Sequence, residues 1–322
     1  MRARAFILAV ILGLVLPWVV YLVLERNEKE KQQAPISSEP PTEPTIADER
    51  TSLPVLMSDG SVADMELEEY VLCVVLGEMP ASFEPEALKA QAVVSRTYAL
   101  RADIGKSKHT DAAVCTDSSC CQAFCTVQAY LEKGNSAQDL AKIQQAVEET
   151  KKQVLVYNGT LIEATYFSCS GGRTEDALAV WGQDIPYLRS VESPGEESAD
   201  KYITTVTIPL ADLERLLQTQ LSGSWLGEVS YTQGGGVDQI TIGTKQYKGT
   251  ELRRLLGLRS TAFIITAVGD RVTITTKGYG HRVGMSQYGA DAMAIKGSGY
   301  EEILSYYYPG TVLQTHSLQN GN

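Results

Sequence analysis

The amino-acid sequence predicts an α+β fold: mixed helices and antiparallel sheet around a groove, with an inserted smaller α/β lobe and an N-terminal transmembrane helix. Three observations carry this. Apolar residues recur at helical spacing over 65–76, and small ones follow over 87–99. Asn158-Gly159 separates two apolar runs, and that dipeptide suits the two positive φ angles of a type I′ hairpin turn. Residues 262–276 alternate in the manner of strands.

Taken in order, Ala5–Leu24 carries no charge and is long enough to cross a bilayer core as a helix. Pro17 is tolerated in such a helix. Arg2 and Arg4 precede the span and Glu25 follows it, so the positive-inside rule leaves the N-terminus in the cytoplasm. The expected product is a single-pass membrane protein with an extracytoplasmic domain. A cleaved signal peptide is the alternative, but no Ala-x-Ala-like site closes the run. Residues 26–50 are charged and rich in Pro, Ser, Thr and Glu, and read as a flexible tether. Residues 51–316 then form one domain, with 190–265 as a candidate inserted lobe.

Within that domain a strand and turn are expected over 54–62 and a helix over 65–76. A second helix has Pro85 in its first turn, and a third covers 138–150. Hairpin strands fall at 154–157 and 161–167. Further strands are expected at 204–209 and 237–242, with short helices at 211–221 and 251–256. The formal charge of −11 argues against a nucleic-acid partner. An acidic ligand would need local cations in the groove.

Two blocks carry chemistry. Residues 278–290 read Gly-Tyr-Gly-His-Arg-Val-Gly-Met-Ser-Gln-Tyr-Gly-Ala, a glycine density that implies unusual backbone or close approach to a ligand. About two hundred residues earlier, Gly77-Glu78-Met79-Pro80 ends an apolar helix and an Ala-rich helix follows. Apolar surroundings disfavour the charged form of a carboxyl group, as a general acid near neutral pH requires. On local pattern alone, Glu78 reads first as a helix-end residue that caps or pairs with Arg96.

In combination the two blocks resemble the hallmarks of the SpoIID/LytB family, over nearly all of the chain beyond residue 50. The resemblance implies a lytic transglycosylase of peptidoglycan with Glu78 as the catalytic residue. One carboxyl group protonates the MurNAc–GlcNAc oxygen, then takes the proton of the muramic C6 hydroxyl, which closes onto C1 as a 1,6-anhydro ring. Because the substrate supplies its own nucleophile, a single carboxylate suffices where ordinary glycosidases use two. Also implied are septal wall remodelling and engulfment during sporulation. The substrate would be glycan strands stripped of stem peptides, and the partner the amidase stage II sporulation protein P. A second reading is a glycan-binding enhancer of such an amidase, without catalysis.

Groove-lining candidates follow by position: Lys89, Arg96 and Tyr98 on the helix after Glu78, and His281, Ser286, Gln287 and Tyr288 in the glycine block. Ser168-Cys169-Ser170-Gly171-Gly172 resembles a third family motif, and Ser170 and Gly171 are expected to offer N–H groups to a substrate oxygen. Arg282 stands where the family more often has glycine. Four of the six cysteines fall within 115–125, after His109. Thiolates with imidazole form a zinc ligand set. Resemblance to clostridial-type members implies His109, Cys115 and Cys121 as ligands of a structural zinc, with Cys120 and Cys125 as competitors. Disulfides are the alternative outside the membrane, and a zinc-activated water attacking an amide bond is a further one.

Overall fold

The computed structural model describes residues 52–200 and 202–316. The expected transmembrane helix and tether lie outside the described residues. Among the described residues, no helix is long and apolar enough to cross a membrane.

The chain enters as the hairpin β1 (Ser52–Leu56) and β2 (Val62–Glu66), and β2 runs straight into helix α1 (Leu67–Glu78). Met65, expected in the helix, is the last but one residue of the strand and pairs with Leu53. Pro80 disfavours helical backbone at the residue before it. Met79 is accordingly extended (φ −123°, ψ 139°), and α1 stops with Glu78 as its last residue. Helix α2 (Pro85–Arg101) starts with proline in its first turn. It is the centre of the main core. Ala87, Ala90, Ala92 and Ala99 are fully buried, so other elements come close on several sides.

Strand β3 (Val114–Cys115) lies parallel to β1. Helices α3 (Val127–Glu132) and α4 (Ala137–Glu149) follow, the latter opened by a Ser136–Asp139 capping box. Strands β4 (Gln153–Tyr157) and β5 (Thr160–Leu161) turn at Asn158 and Gly159, whose φ values of 49° and 75° match the expected turn. The second hairpin strand is shorter than expected. After Ile162, whose N–H still donates to Leu155 O at 3.2 Å, the chain leaves β4, and β6 (Tyr166–Phe167) pairs elsewhere, with the glycine block.

Next come β7 (Gly172–Arg173), helix α5 (Ala177–Trp181) and β8 (Glu192–Ser193). A second hydrophobic core then forms, apart from the first. It is built from β9 (Ile203–Pro209), α6 (Leu210–Leu217), β10 (Leu226–Tyr231), β11 (Val237–Ile242), β12 (Lys245–Lys248), α7 (Gly249–Leu255), β13 (Ala262–Val268) and β14 (Arg271–Lys277). Two antiparallel sheets frame it, in the orders β10-β11-β12 and β13-β14-β9. Phe263, Ile265, Val272 and Ile274 point into this core, so the strands after residue 262 pack with the smaller lobe.

The chain returns through β15 (Met285–Ser286), α8 (Gln287–Ile295), α9 (Tyr300–Tyr307) and β16 (Val312–Thr315). β15 runs parallel to β6, and β16 lies antiparallel on β4. Helix α2 packs against α1, α4, β4, α8 and α9. The Glu78 block and the glycine block, distant in sequence, are thereby held against the same helix.

Candidate active site

Three donors converge on the carboxyl group of Glu78. Ala123 N–H donates to Oε1 at 2.6 Å, the Tyr166 hydroxyl donates to Oε1 at 2.8 Å, and Gln287 Nε2 donates to Oε2 at 3.2 Å. They come from three separate segments: the cysteine-rich loop, β6 and the first residue of α8. A helix C-terminus is the poor end for a carboxylate, so the grip must come from outside α1. The apolar surroundings expected for Glu78 are therefore corrected: its neighbours are polar donors. Nor does it pair with Arg96.

Behind these donors stands a second layer. Tyr70 OH donates to Gln122 Oε1 at 3.1 Å, and Gln122 Nε2 donates to the Tyr166 hydroxyl oxygen at 3.1 Å. On the other side, Gln287 Nε2 also reaches Gln91 Oε1 at 3.5 Å. Desolvation first, and then the nearby Glu78 charge, hold the Tyr166 phenol well above its ordinary pKa, so it remains a donor. Oε1 thus accepts two short bonds. Oε2 has one longer contact and is the less engaged of the two oxygens. Gly77 is the reason the cysteine-rich loop can lie this close. A Cβ there would sit 2.8 Å from Phe124 N.

Glu78 borders two clefts. One, of about 670 Å³, is lined among others by Tyr98, Lys108, Trp181, Tyr279, His281 and Gln287. The other, of about 540 Å³, is lined by Met79, Pro80, Tyr130, Lys133, Asn135 and Asp139. Two further carboxylates reach these clefts, and both are committed. Glu163 pairs with Arg101 at 3.2 Å, and Asp139 closes the cap of α4. Lys108 supplies a cation at the first cleft, and its ammonium group also donates to the Cys120 carbonyl.

His281 lies between the rings of Phe167 and Trp181, with centroids 5.7 and 5.3 Å away. Val283 N–H donates to His281 Nδ1 at 3.1 Å, which leaves the proton of the neutral ring on Nε2. Burial first, then the charge of Arg253, lowers its pKa to about 4. At neutral pH it is an uncharged wall of the cleft. Gly284 lets the block approach β6. Its φ is +83°, and a Cβ would lie 2.0 Å from Thr165 O.

Of the expected groove residues, Glu78, Tyr98, His281 and Gln287 line the first cleft. The others are placed elsewhere. Arg96 is fully buried, with Nη2 2.6 Å from Glu68 and Nη1 3.2 Å from the Gln153 carbonyl oxygen. Lys89 pairs with Glu86 at 2.7 Å and Glu149 at 2.6 Å. Tyr288 packs edge-on against Phe83, with ring centroids 4.9 Å apart.

Ser170, Gly171 and Ser286 meet a carboxylate of the chain itself. Glu196 Oε2 accepts from Ser170 N at 2.7 Å, Ser170 Oγ at 2.8 Å and Gly171 N at 2.9 Å. Its Oε1 accepts from Ser193 Oγ and Ser286 Oγ, both at 2.6 Å. The glycine turn does present N–H groups to an oxygen, but that oxygen belongs to Glu196. Arg282 has φ +69°, the left-handed backbone that glycine adopts freely. Its buried guanidinium donates to Ser170 O at 2.6 Å, Gly234 O at 2.7 Å and Glu175 Oε1 at 3.2 Å. The side chain thereby ties the β10–β11 turn to the glycine block.

The cysteine-rich loop gathers four donors. One ligand atom from each of His109, Cys115, Cys120 and Cys121 falls within a 4.8 Å group. Cys125 lies outside this group and accepts from Lys133 Nζ at 3.6 Å. All six cysteines are free thiols. Cys120 and Cys121 also line the first cleft.

Comparison with known proteins finds relatives over most of the chain. The family described as SpoIID, stage II sporulation protein, matches residues 58–157, which contain Glu78 and the cysteine-rich loop. Stage II sporulation protein D of Bacillus subtilis is 38% identical over 97% of this chain and 95% of its own length. Stage II sporulation protein D of Bacillus amyloliquefaciens is 41% identical over 83% of this chain and 80% of its own. A protein named amidase enhancer from Bacillus subtilis is 31% identical over 76% of this chain and 40% of its own. The residues that hold Glu78 and the similarity over almost the whole length lead to one conclusion: the chain belongs to the SpoIID/LytB family of sporulation proteins.

Proposed function

We propose that this protein is a lytic transglycosylase that cuts the MurNAc–GlcNAc bonds of peptidoglycan strands stripped of stem peptides, during the wall remodelling and engulfment of sporulation. One observation carries the proposal. Glu78 stands where two clefts meet, with one oxygen pinned and the other nearly free. A polymer cut within its length must occupy sites on both sides of the broken bond, and two clefts flanking one acid meet that need. Trp181 and Tyr279 offer ring faces of the kind on which sugars stack, and Lys108 offers a cation for the lactyl carboxylate.

In the proposed reaction Oε2 begins protonated. Its proton passes to the glycosidic oxygen as the C1–O bond breaks, and GlcNAc leaves with a hydroxyl. The Glu78 carboxylate then removes the proton of the muramic C6 hydroxyl while that oxygen bonds to C1. The acid is regenerated and the ring is closed. Ala123 N–H and Tyr166 OH stabilise the carboxylate in the interval, and Gln287 keeps its plane fixed. Because Glu163 and Asp139 are engaged in an ion pair and a cap, a single-carboxylate mechanism fits better than a paired one.

The similarity to an amidase enhancer favours a second role, in which the protein presents glycan to a cell-wall amidase such as stage II sporulation protein P. The membrane span proposed over 5–24 would hold either activity at the wall. The donor set of the cysteine-rich loop fits zinc, as two or three thiolates with one imidazole do. His109, Cys115 and Cys121 would hold the ion, and its part would be to fix the loop that carries Ala123. Wild type and Glu78→Gln should be compared on denuded strands, with and without the amidase. The proposal expects anhydromuramic ends from wild type only. Stimulation of the amidase by both proteins, with no anhydro ends from either, would leave the enhancer role alone.

A further inference from the structure

The four-donor group contains one more thiol than the family resemblance calls for. Cys120 Sγ lies 3.7 Å from His109 Nε2 and 4.0 Å from Cys121 Sγ, and Cys121 Sγ lies 3.4 Å from the same nitrogen. A tetrahedral ion holds sulfur at about 2.3 Å and nitrogen at about 2.0 Å, which puts its ligands roughly 3.5–3.8 Å from each other. The three separations among His109, Cys120 and Cys121 are close to a tetrahedron's edges, and Cys115 belongs to the same 4.8 Å group. Adjacent cysteines point two thiols to one place here because the chain turns at Asp117. Its carbonyl accepts the N–H groups of Cys120 at 3.0 Å and Cys121 at 2.8 Å. Lys108 reinforces the turn by donating to the Cys120 carbonyl.

We propose that Cys120 is the fourth ligand of a closed site made with His109, Cys115 and Cys121. The inference rests on the zinc reading above. Four protein ligands leave no open position for water or substrate, which is the mark of a structural site and argues against a metal-activated nucleophile. The consequence reaches the acid. Cys121 is two residues from Ala123, whose N–H grips Glu78 Oε1 at 2.6 Å. Gln122, between them, feeds Tyr166. Closing the site with Cys120 fixes both donors to Oε1 from one end of the loop.

The test uses the full-length chain with Co²⁺ and Zn²⁺ as probes. Wild type should bind one Co²⁺ with the ligand-field bands of a tetrahedral ion and a three-thiolate charge-transfer band. Cys120→Ser should lose about one third of that band, one thiolate of three, and bind Zn²⁺ at least about tenfold more weakly. Cys121→Ser should behave alike, and Cys125→Ser should match wild type. Hydrogen exchange of the 116–125 amides should quicken in Cys120→Ser, a readout independent of activity. A Cys120→Ser protein with wild-type bands and affinity, beside a defective Cys121→Ser, would overturn the role of Cys120 while leaving the zinc site standing. Wild type that takes up neither metal would overturn the zinc reading itself, and the Cys120 role with it.

Discussion

Two carboxylates of this chain sit where the same motifs meet, and they do opposite jobs. Glu196 is 1% exposed and accepts five bonds, which engage both of its oxygens. Glu78 is partly exposed and accepts three, two of them on one oxygen. A saturated carboxylate is a fastener. It holds the glycine turn, β8 and the start of α8 together. A carboxylate with two short bonds on one oxygen and a single longer one on the other, at the border of two clefts, has a fixed position and one oxygen within reach of a ligand. The difference lies in how many donors reach each group and which oxygen they reach.

Substitution should separate the two. Glu78→Gln keeps the size and most of the contacts but cannot transfer the proton. Formation of anhydro ends should fall by roughly 10²–10⁴-fold, the usual worth of a general acid–base group. Its thermal midpoint should stay near that of wild type. Glu196→Gln should do the reverse. One oxygen becomes an amide that faces donors, and urea unfolding should show a loss of roughly 3 kcal/mol. The rate per folded molecule should remain within a few-fold of wild type. Equal losses of rate from both variants would erase the distinction.

Little of that contrast was legible in the sequence. Glu78 stood out because Pro80 ends its helix and a small-residue helix follows. Gln287 and His281 stood out within a glycine-rich run. Glu196 had no local signal, since its donors come from three segments that only the fold assembles. For the same reason Ser170, Gly171 and Ser286 read as substrate contacts. Their donor groups were correctly identified, but the acceptor was unseen. Ala123 was invisible because a loop backbone N–H carries no residue signature, and Gln122 and Tyr166 because a lone Gln and a strand Tyr give no pattern until the fold brings them to Glu78. Helical geometry does separate the candidates on α2. At about 100° per residue, Tyr98 shares the face of Gln91, while Lys89 and Arg96 lie about 140–160° round the helix. Gln91 and Tyr98 meet the site, and the two cations face the other way, toward Glu149 and Glu68.

The cleft's histidine gives a third, smaller contrast. Burial lowers the His281 pKa from 6.5 to about 4 in the folded chain. A lowered histidine pKa means that the unfolded chain binds the proton first. Its contribution is therefore fully present above pH 6.5 and is lost as pH falls toward 4. Between those limits wild type should lose roughly 2 kcal/mol more stability than His281→Gln, allowing for partial exposure. Parallel pH–stability curves would show that His281 is not held neutral by the fold. The smallest effect should come from Tyr166→Phe. It removes one of the two donors to Oε1, and the rate should fall about tenfold, or roughly 1.4 kcal/mol, while the loss of the acceptor for the buried Gln122 amide should lower stability by about 1 kcal/mol. A rate equal to wild type would place the grip on Ala123 N–H alone.

In the proposed reaction Glu78 acts alone, with the substrate's own hydroxyl as nucleophile. The direct measurement is digestion of denuded glycan strands by the full-length protein in water enriched in ¹⁸O, with mass spectrometry of the new muramic ends. Ends of anhydro mass that carry no ¹⁸O are predicted. Reducing ends that each carry one ¹⁸O would mean that water attacked the bond, and a single-carboxylate transglycosylase would be contradicted.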